Sequence, residues 1–132
     1  MITNIKKFIN SIFSIKIGDI IYDGDPKNVV RPSYKIVCGE NEMITRKVIF
    51  NIKEMVFDDS YYSGKIYKIE DIKIEDIKYI LKMLISDNSD DRKKLFGNVF
   101  DVWIKRYPIV KKLISDAELN YELDSNVVKY NL

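Results

Sequence analysis

Acidic side chains recur as close pairs along this chain, at Asp23 and Asp25, Asp58 and Asp59, Glu70 and Asp71, Glu75 and Asp76, and Asp90 and Asp91. Two carboxylates can divide acid and base roles in glycoside hydrolysis, but they must then stand on opposite walls of a cleft, brought there by separate segments. Neighbouring acids on turns and helix starts are instead solvated or complement the helix dipole. The run Asp87-Asn-Ser-Asp-Asp91 opens like a calcium loop. Its sixth position, however, is Arg92 where the turn needs Gly, and its twelfth is Asn98 where a bidentate Glu is needed. No calcium site is expected there.

Histidine is absent, which removes Ser-His-Asp and Cys-His nucleophile systems, imidazole acid-base steps and His-bearing metal sites. The one cysteine, Cys38, excludes an internal disulfide and Cys-rich metal sites and fits a reducing, cytoplasmic setting. In Ser33-Tyr-Lys-Ile-Val-Cys38, strand alternation places Tyr34, Ile36 and Cys38 on one side, so the thiol is expected to be buried and inert. No glycine-rich phosphate loop, nucleophile elbow or dinucleotide fingerprint occurs, and no cofactor is expected.

Charge is distributed unevenly. Residues 54 to 76 carry Glu54, Asp58, Asp59, Glu70, Asp71, Glu75 and Asp76 against Lys65, Lys68 and Lys73, a net of −4. Residues 92 to 112 carry Arg92, Lys93, Lys94, Lys105, Arg106, Lys111 and Lys112 against Asp101, a net of +6. The acidic segment also bears Tyr61, Tyr62 and Tyr67, and aromatic anchors inside a charged rim are the composition of a protein interface that steers a basic partner. Its bland alternative is a solvated hairpin tip with the tyrosines covering adjacent strands. For the basic segment, phosphate contact through Lys93, Lys94, Lys105 and Arg106 competes with a solvated face. With 22 Ile, 18 Lys and 10 Asn but one Ala and no Gln, the composition reflects an AT-rich genome, such as a low-GC bacterium, its phage or plasmid, or a virus. Lysine is thereby inflated, and a formal net charge of +2 is small for a dedicated DNA binder.

The elements that must position these groups follow from periodicity and punctuation. The 132 residues suit one domain, 1–132, of α+β class. Ile2, Ile5, Phe8, Ile9, Ile12 and Phe13 recur at helical spacing and predict a helix over 3–13 that packs on the domain's own sheet. The start lacks the pattern of a cleavable leader, and no run approaches the roughly 20 apolar residues of a membrane span. Gly and Pro then separate β-rich runs near 15–22, 33–38, 43–52, 54–58 and 65–69, forming a small antiparallel sheet over about 15–69. Gly39 to Glu42 suit a hairpin loop pairing the second and third runs. In Met43 to Ile52, Ile44, Val48, Phe50 and Ile52 share one face, which Arg46 interrupts, so it belongs at the strand's end or against a carboxylate.

Ile15-Lys-Ile-Gly-Asp-Ile-Ile-Tyr22 resembles the opening strand of small SH3-like barrels, although Gly-Asp between isoleucines is equally a bulge or a turn. The tandem Ile69-Glu-Asp-Ile-Lys73 and Ile74-Glu-Asp-Ile-Lys78 marks a strand-to-helix transition. Helices follow from Ile74, capped by Ser89, and after Tyr107-Pro108, giving two or three C-terminal helices packed on one face. The tail from Leu123 is expected to add an edge strand around Val127-Val128 or to hang loose.

The function expected from these residues is a non-enzymatic protein-binding module. Its type is a small inhibitor, of the immunity, antitoxin or phage anti-defence kind, that occludes the working surface of a partner such as a nuclease. Asp58, Asp59, Tyr61, Tyr62, Glu70 and Asp71 are the expected contact residues. Two alternatives stand beside it: a nucleic-acid binder using an SH3-like sheet with Lys93, Lys94, Lys105 and Arg106, and a His-free carboxylate-dependent hydrolase.

Overall fold

The computed structural model describes residues 15–22, 33–41, 46–57, 64–87 and 89–130. Five short strands, β1 (Ile20–Tyr22), β2 (Tyr34–Asn41), β3 (Arg46–Asn51), β4 (Val56–Phe57) and β5 (Lys65–Tyr67), precede a 3-10 turn at Ile69–Asp71. Three helices follow, α1 (Ile74–Ile85), α2 (Asp90–Arg106) and α3 (Ile109–Tyr130). The class is α+β, as the sequence predicts. The helix expected over 3–13 lies outside the described residues.

All strand pairs are antiparallel, in the order β4-β3-β2-β1-β5. The chain meanders from β1 to β4, and β5 then returns to the free side of β1, with Ile20 opposite Tyr67 and Tyr22 opposite Lys65. Among the described residues, β4 and β5 are thus the two edges. No helix among the described residues is long and apolar enough to cross a membrane.

β2 and β3 pair as expected, but the pairing runs further than the loop reading allowed. Gly39, Glu40 and Asn41 lie opposite Val48, Lys47 and Arg46, so three residues read as loop belong to the ladder. The register slips between Val37 and Gly39, which leaves Cys38 as the extra residue of a bulge. Arg46 is the first residue of β3, at the strand's end.

One sheet face carries Ile20, Tyr22, Tyr34, Ile36, Cys38 and Phe50, all buried in a cluster with Ile69, Ile77, Ile80, Leu81, Leu84, Phe96, Val99, Trp103, Val110, Leu113 and Ile114. All three helices therefore cover this face. Val48 and Ile52 join it as predicted, whereas Ile21, Val37 and Ile49 face the other way and are buried with Ile15 in a second cluster. Period-two alternation along β3 separates Phe50 from Ile49 onto the two faces.

The duplicated Ile-Glu-Asp-Ile-Lys segment adopts two structures. In the first copy Ile69 to Asp71 form the 3-10 turn; the second copy opens α1, with Glu75 and Asp76 in its first turn. Both copies place isoleucines inward at the same positions where it counts, Ile72 and Ile77 being buried.

Ser89 is the N-cap residue of α2, but its hydroxyl makes no cap bond; instead its N–H donates to Asp87 Oδ1 at 3.0 Å. Nor does the tail form a strand. α3 continues helically to Tyr130, so the β-branched pair Val127-Val128 does not interrupt it.

Candidate functional site

Of the predicted partner contacts, Glu70 and Asp71 stand on a buried foundation at the start of β1. Lys16 to Asp19 form a tight turn in which the Asp19 N–H donates to the Lys16 carbonyl at 3.0 Å. Gly18 adopts φ +93°, a region L residues avoid, and a methyl group there would lie 2.9 Å from Val102 Cγ1. The Gly18 carbonyl accepts a bond of 2.7 Å from the indole Nε1 of fully buried Trp103. Gly-Asp is therefore a turn, and α2 is fastened to it.

Asp19 is buried at 4 % exposure. A buried carboxylate needs partners, and it accepts from the Lys16 N–H at 3.0 Å and from Lys68 Nζ at 2.5 Å. Lys68 joins β5 to the 3-10 turn, and Ile69 beside it is buried, so Glu70 and Asp71 are raised into solvent from a base tied down on both sides.

Glu70 in turn accepts a bond of 2.8 Å from Arg106 Nε in the last turn of α2. The hydrogen bond from the Arg106 guanidinium holds the Glu70 carboxyl below the usual carboxylate range, and the same contact holds Arg106 charged. Both side chains are well exposed, so the pair orients the two groups more than it stabilises the fold. The acidic and basic segments read as two separate patches meet here in one mixed cluster.

The four basic residues considered for phosphate contact are not brought together. Lys93 and Lys94 lie near the start of α2 beside Asp90 and Asp91, whereas Lys105 and Arg106 close it. Eleven residues of helix separate Lys94 from Lys105, about 16 Å. Arg92 turns inward: Nη1 meets Asp87 Oδ2 at 2.8 Å and the Met55 carbonyl at 3.3 Å, and the guanidinium sits 5.6 and 5.5 Å from the ring centres of Phe50 and Phe57. Burial raises the Asp87 pKa, but the Arg92 hydrogen bond and the Ser89 N–H outweigh it, leaving the carboxyl below its ordinary value.

Asp58, Asp59, Tyr61 and Tyr62 lie outside the described residues. Tyr67 is part-buried in β5, and Asp76 accepts a bond of 2.9 Å from the Tyr34 hydroxyl. Burial, reinforced by that bond to Asp76, pushes the Tyr34 phenol far above its usual range. Cys38 is buried as expected, and burial pushes its thiol up to about 12, so no thiolate forms at neutral pH. Among the described residues, no group of three or more Cys, Asp or Glu is placed to hold a metal ion.

Two surface features escaped the sequence reading. A groove of about 580 Å³ runs between α1 and α3, lined by Lys78 and Lys82 on α1 and by Asp116, Leu119, Asn120, Tyr121 and Asp124 on α3. Beside it, Leu119 and Leu123 are 55 % and 53 % exposed on α3. Their four-residue spacing is the available signal, and the β-branched pair Val127-Val128 just beyond obscures it. Compared with protein-family models, curated proteins and solved structures, the chain matches none. Its function has to be argued from these surfaces.

Proposed function

We propose that the protein is a non-enzymatic binding module that acts by occupying a protein partner's working surface, in the manner of a small inhibitor. The observation that carries this reading is the presentation of Glu70 and Asp71. They are exposed, yet the turn beneath them is fixed by Ile69, by the Lys68–Asp19 pair and by Arg106. A charged patch that is already ordered loses little further freedom when it docks, and carboxylates at its surface attract a basic partner from a distance. The reactive side chains support the same reading, because Cys38 and Tyr34 are shifted away from their nucleophilic forms at neutral pH. Nucleic-acid binding has less support, since Lys93 and Lys94 stand apart from Lys105, and Arg106 is engaged by Glu70.

Affinity capture with the tagged full-length chain, from nuclease-treated lysate of its native cells, tests the proposal. A protein retained by the wild type and lost with Glu70→Ala/Asp71→Ala is the expected result. Retention of nucleic acid alone, released steeply by salt, would refute it, as would substrate turnover abolished by changing one acidic or phenolic residue.

A further inference from the structure

The C-terminal half of α3 has an outer side that stays exposed among the described residues. Val110, Leu113 and Ile114 bury one face of the helix, and Ala117 and Tyr121 continue it. At about 100° per residue, Leu119 and Leu123 fall opposite that face, one turn apart, with Leu119 at the rim of the groove between α1 and α3. They are the most exposed large apolar side chains among the described residues. Along the helix their charged neighbours are acids: residues 113 to 128 hold Asp116, Glu118, Glu122 and Asp124 and no Lys or Arg. Asp116 and Asp124 line the groove shared with Lys78 and Lys82, which leaves exposed Glu118 and Glu122 on the side away from α1.

Charge selects the occupant of this face. A second copy packed antiparallel across Leu119 and Leu123 would set Glu118 against Asp124 and acid against acid, and the bilayer surfaces that attract peripheral helices are anionic and would be repelled. A cationic amphipathic helix satisfies both features at once, its apolar stripe receiving the leucines and its Lys or Arg residues meeting the acids. We propose that the outer face of α3 docks such a helix of a protein partner through Leu119, Leu123, Glu118 and Glu122. This rests on the reading of the chain as a protein-binding module, but it uses a surface distinct from the Glu70 turn.

The test uses the full chain and a labelled synthetic peptide of repeated Leu-Lys-Lys-Leu-Leu-Lys-Leu, with a control peptide of identical composition whose leucines are spread around the helix. Fluorescence anisotropy is expected to give a Kd on the order of 10 µM for the amphipathic peptide. Leu119→Ser/Leu123→Ser should weaken it at least about tenfold. Glu118→Gln/Glu122→Gln, which leaves the apolar contact intact, should weaken it several-fold and flatten its salt dependence. Glu70→Gln/Asp71→Asn should leave peptide binding unchanged while reducing capture of the native partner, so the two proposals fail separately. Circular dichroism confirms that each variant is folded, and the glutamine pair decides the matter if the serine pair loses helix. Equal binding of the control peptide would overturn the proposal. So would wild-type affinity in both the leucine and glutamate variants, or a dimer in sedimentation that the leucine variant dissociates.

Discussion

Replacing Trp103 with Phe isolates the fastening between α2 and the first turn. The indole is fully buried, and its N–H is the donor to the Gly18 carbonyl at 2.7 Å. Phenylalanine keeps most of the apolar surface but removes that donor, leaving a buried carbonyl without its partner at a cost of about 1–3 kcal/mol. The smaller ring also leaves a void, which adds about 1 kcal/mol at the usual cost per unit of cavity volume. The expected loss is therefore about 2–4 kcal/mol, a large share of the roughly 5–15 kcal/mol that holds a domain together. For a chain of this length that lowers Tm by roughly 8–16 °C. Trp103 is the sole tryptophan, so the comparison is made by far-UV circular dichroism during urea and thermal unfolding, with wild-type fluorescence as a check on cooperativity. Gly18→Ala should destabilise comparably, from the other side of the same contact, since its φ of +93° and the 2.9 Å approach to Val102 both oppose a methyl group. A Trp103→Phe protein within 1 kcal/mol of wild type would show that the bond does not fasten the helix.

Arg92→Met should cost about 1–3 kcal/mol by leaving Asp87 and the Met55 carbonyl without their guanidinium. Because Asp87 is held below its ordinary value, that stabilisation is present above the unfolded carboxyl's pKa and is lost as pH falls through the folded one. The gap between wild type and variant, read from urea melts, should therefore close as pH falls from about 5 toward 2. Cys38 should resist thiol reagents in the native protein and react on unfolding. Its raised pKa has the opposite pH signature: the folded state keeps a proton that the unfolded state sheds, so stability should fall as pH rises from about 9 to about 12. Tyr34 adds to that alkaline loss, each group contributing at most about 1.4 kcal/mol per pH unit. Gly97→Ala should stabilise the protein by about 0.5–1 kcal/mol in the same melts, because nothing lies within 4 Å of the added methyl and α2 gains a better helix former.

The parts of the fold legible in the sequence were those fixed by local period and punctuation. Alternating residues in 33–38 and 43–52 gave the β2–β3 pairing, and the apolar stripe from Ile74 gave α1. The hairpin turn was misplaced because Gly39 reads as a loop residue, whereas here it is paired beside a bulge opposite Val48. The two Ile-Glu-Asp-Ile-Lys copies show why local reading stops short: one sequence gives a 3-10 turn or an α-helix according to what buries its isoleucines. The tail failed for a related reason, since Val127-Val128 carry a preference for strand that continuation of an established helix overrides. At the candidate site, Glu70 and Asp71 were visible as charge, but the Lys68–Asp19 and Arg106–Glu70 pairs join residues 49 and 36 positions apart, and no spacing rule reaches that far.

The position of β5 bears on how this chain is made. Its partner is the first strand, and Tyr67 must be synthesised before Ile20 acquires its second neighbour. Trp103 reaches Gly18 only 85 residues after that turn has been translated. At usual elongation rates the ribosome needs roughly 2–7 s to pass from Tyr67 to Trp103. During that time Ile36 and Phe50 lack the helical residues that bury them in the finished fold. A stop codon anywhere before α2 would thus yield not a smaller working protein but a sticky fragment destined for chaperones or proteases.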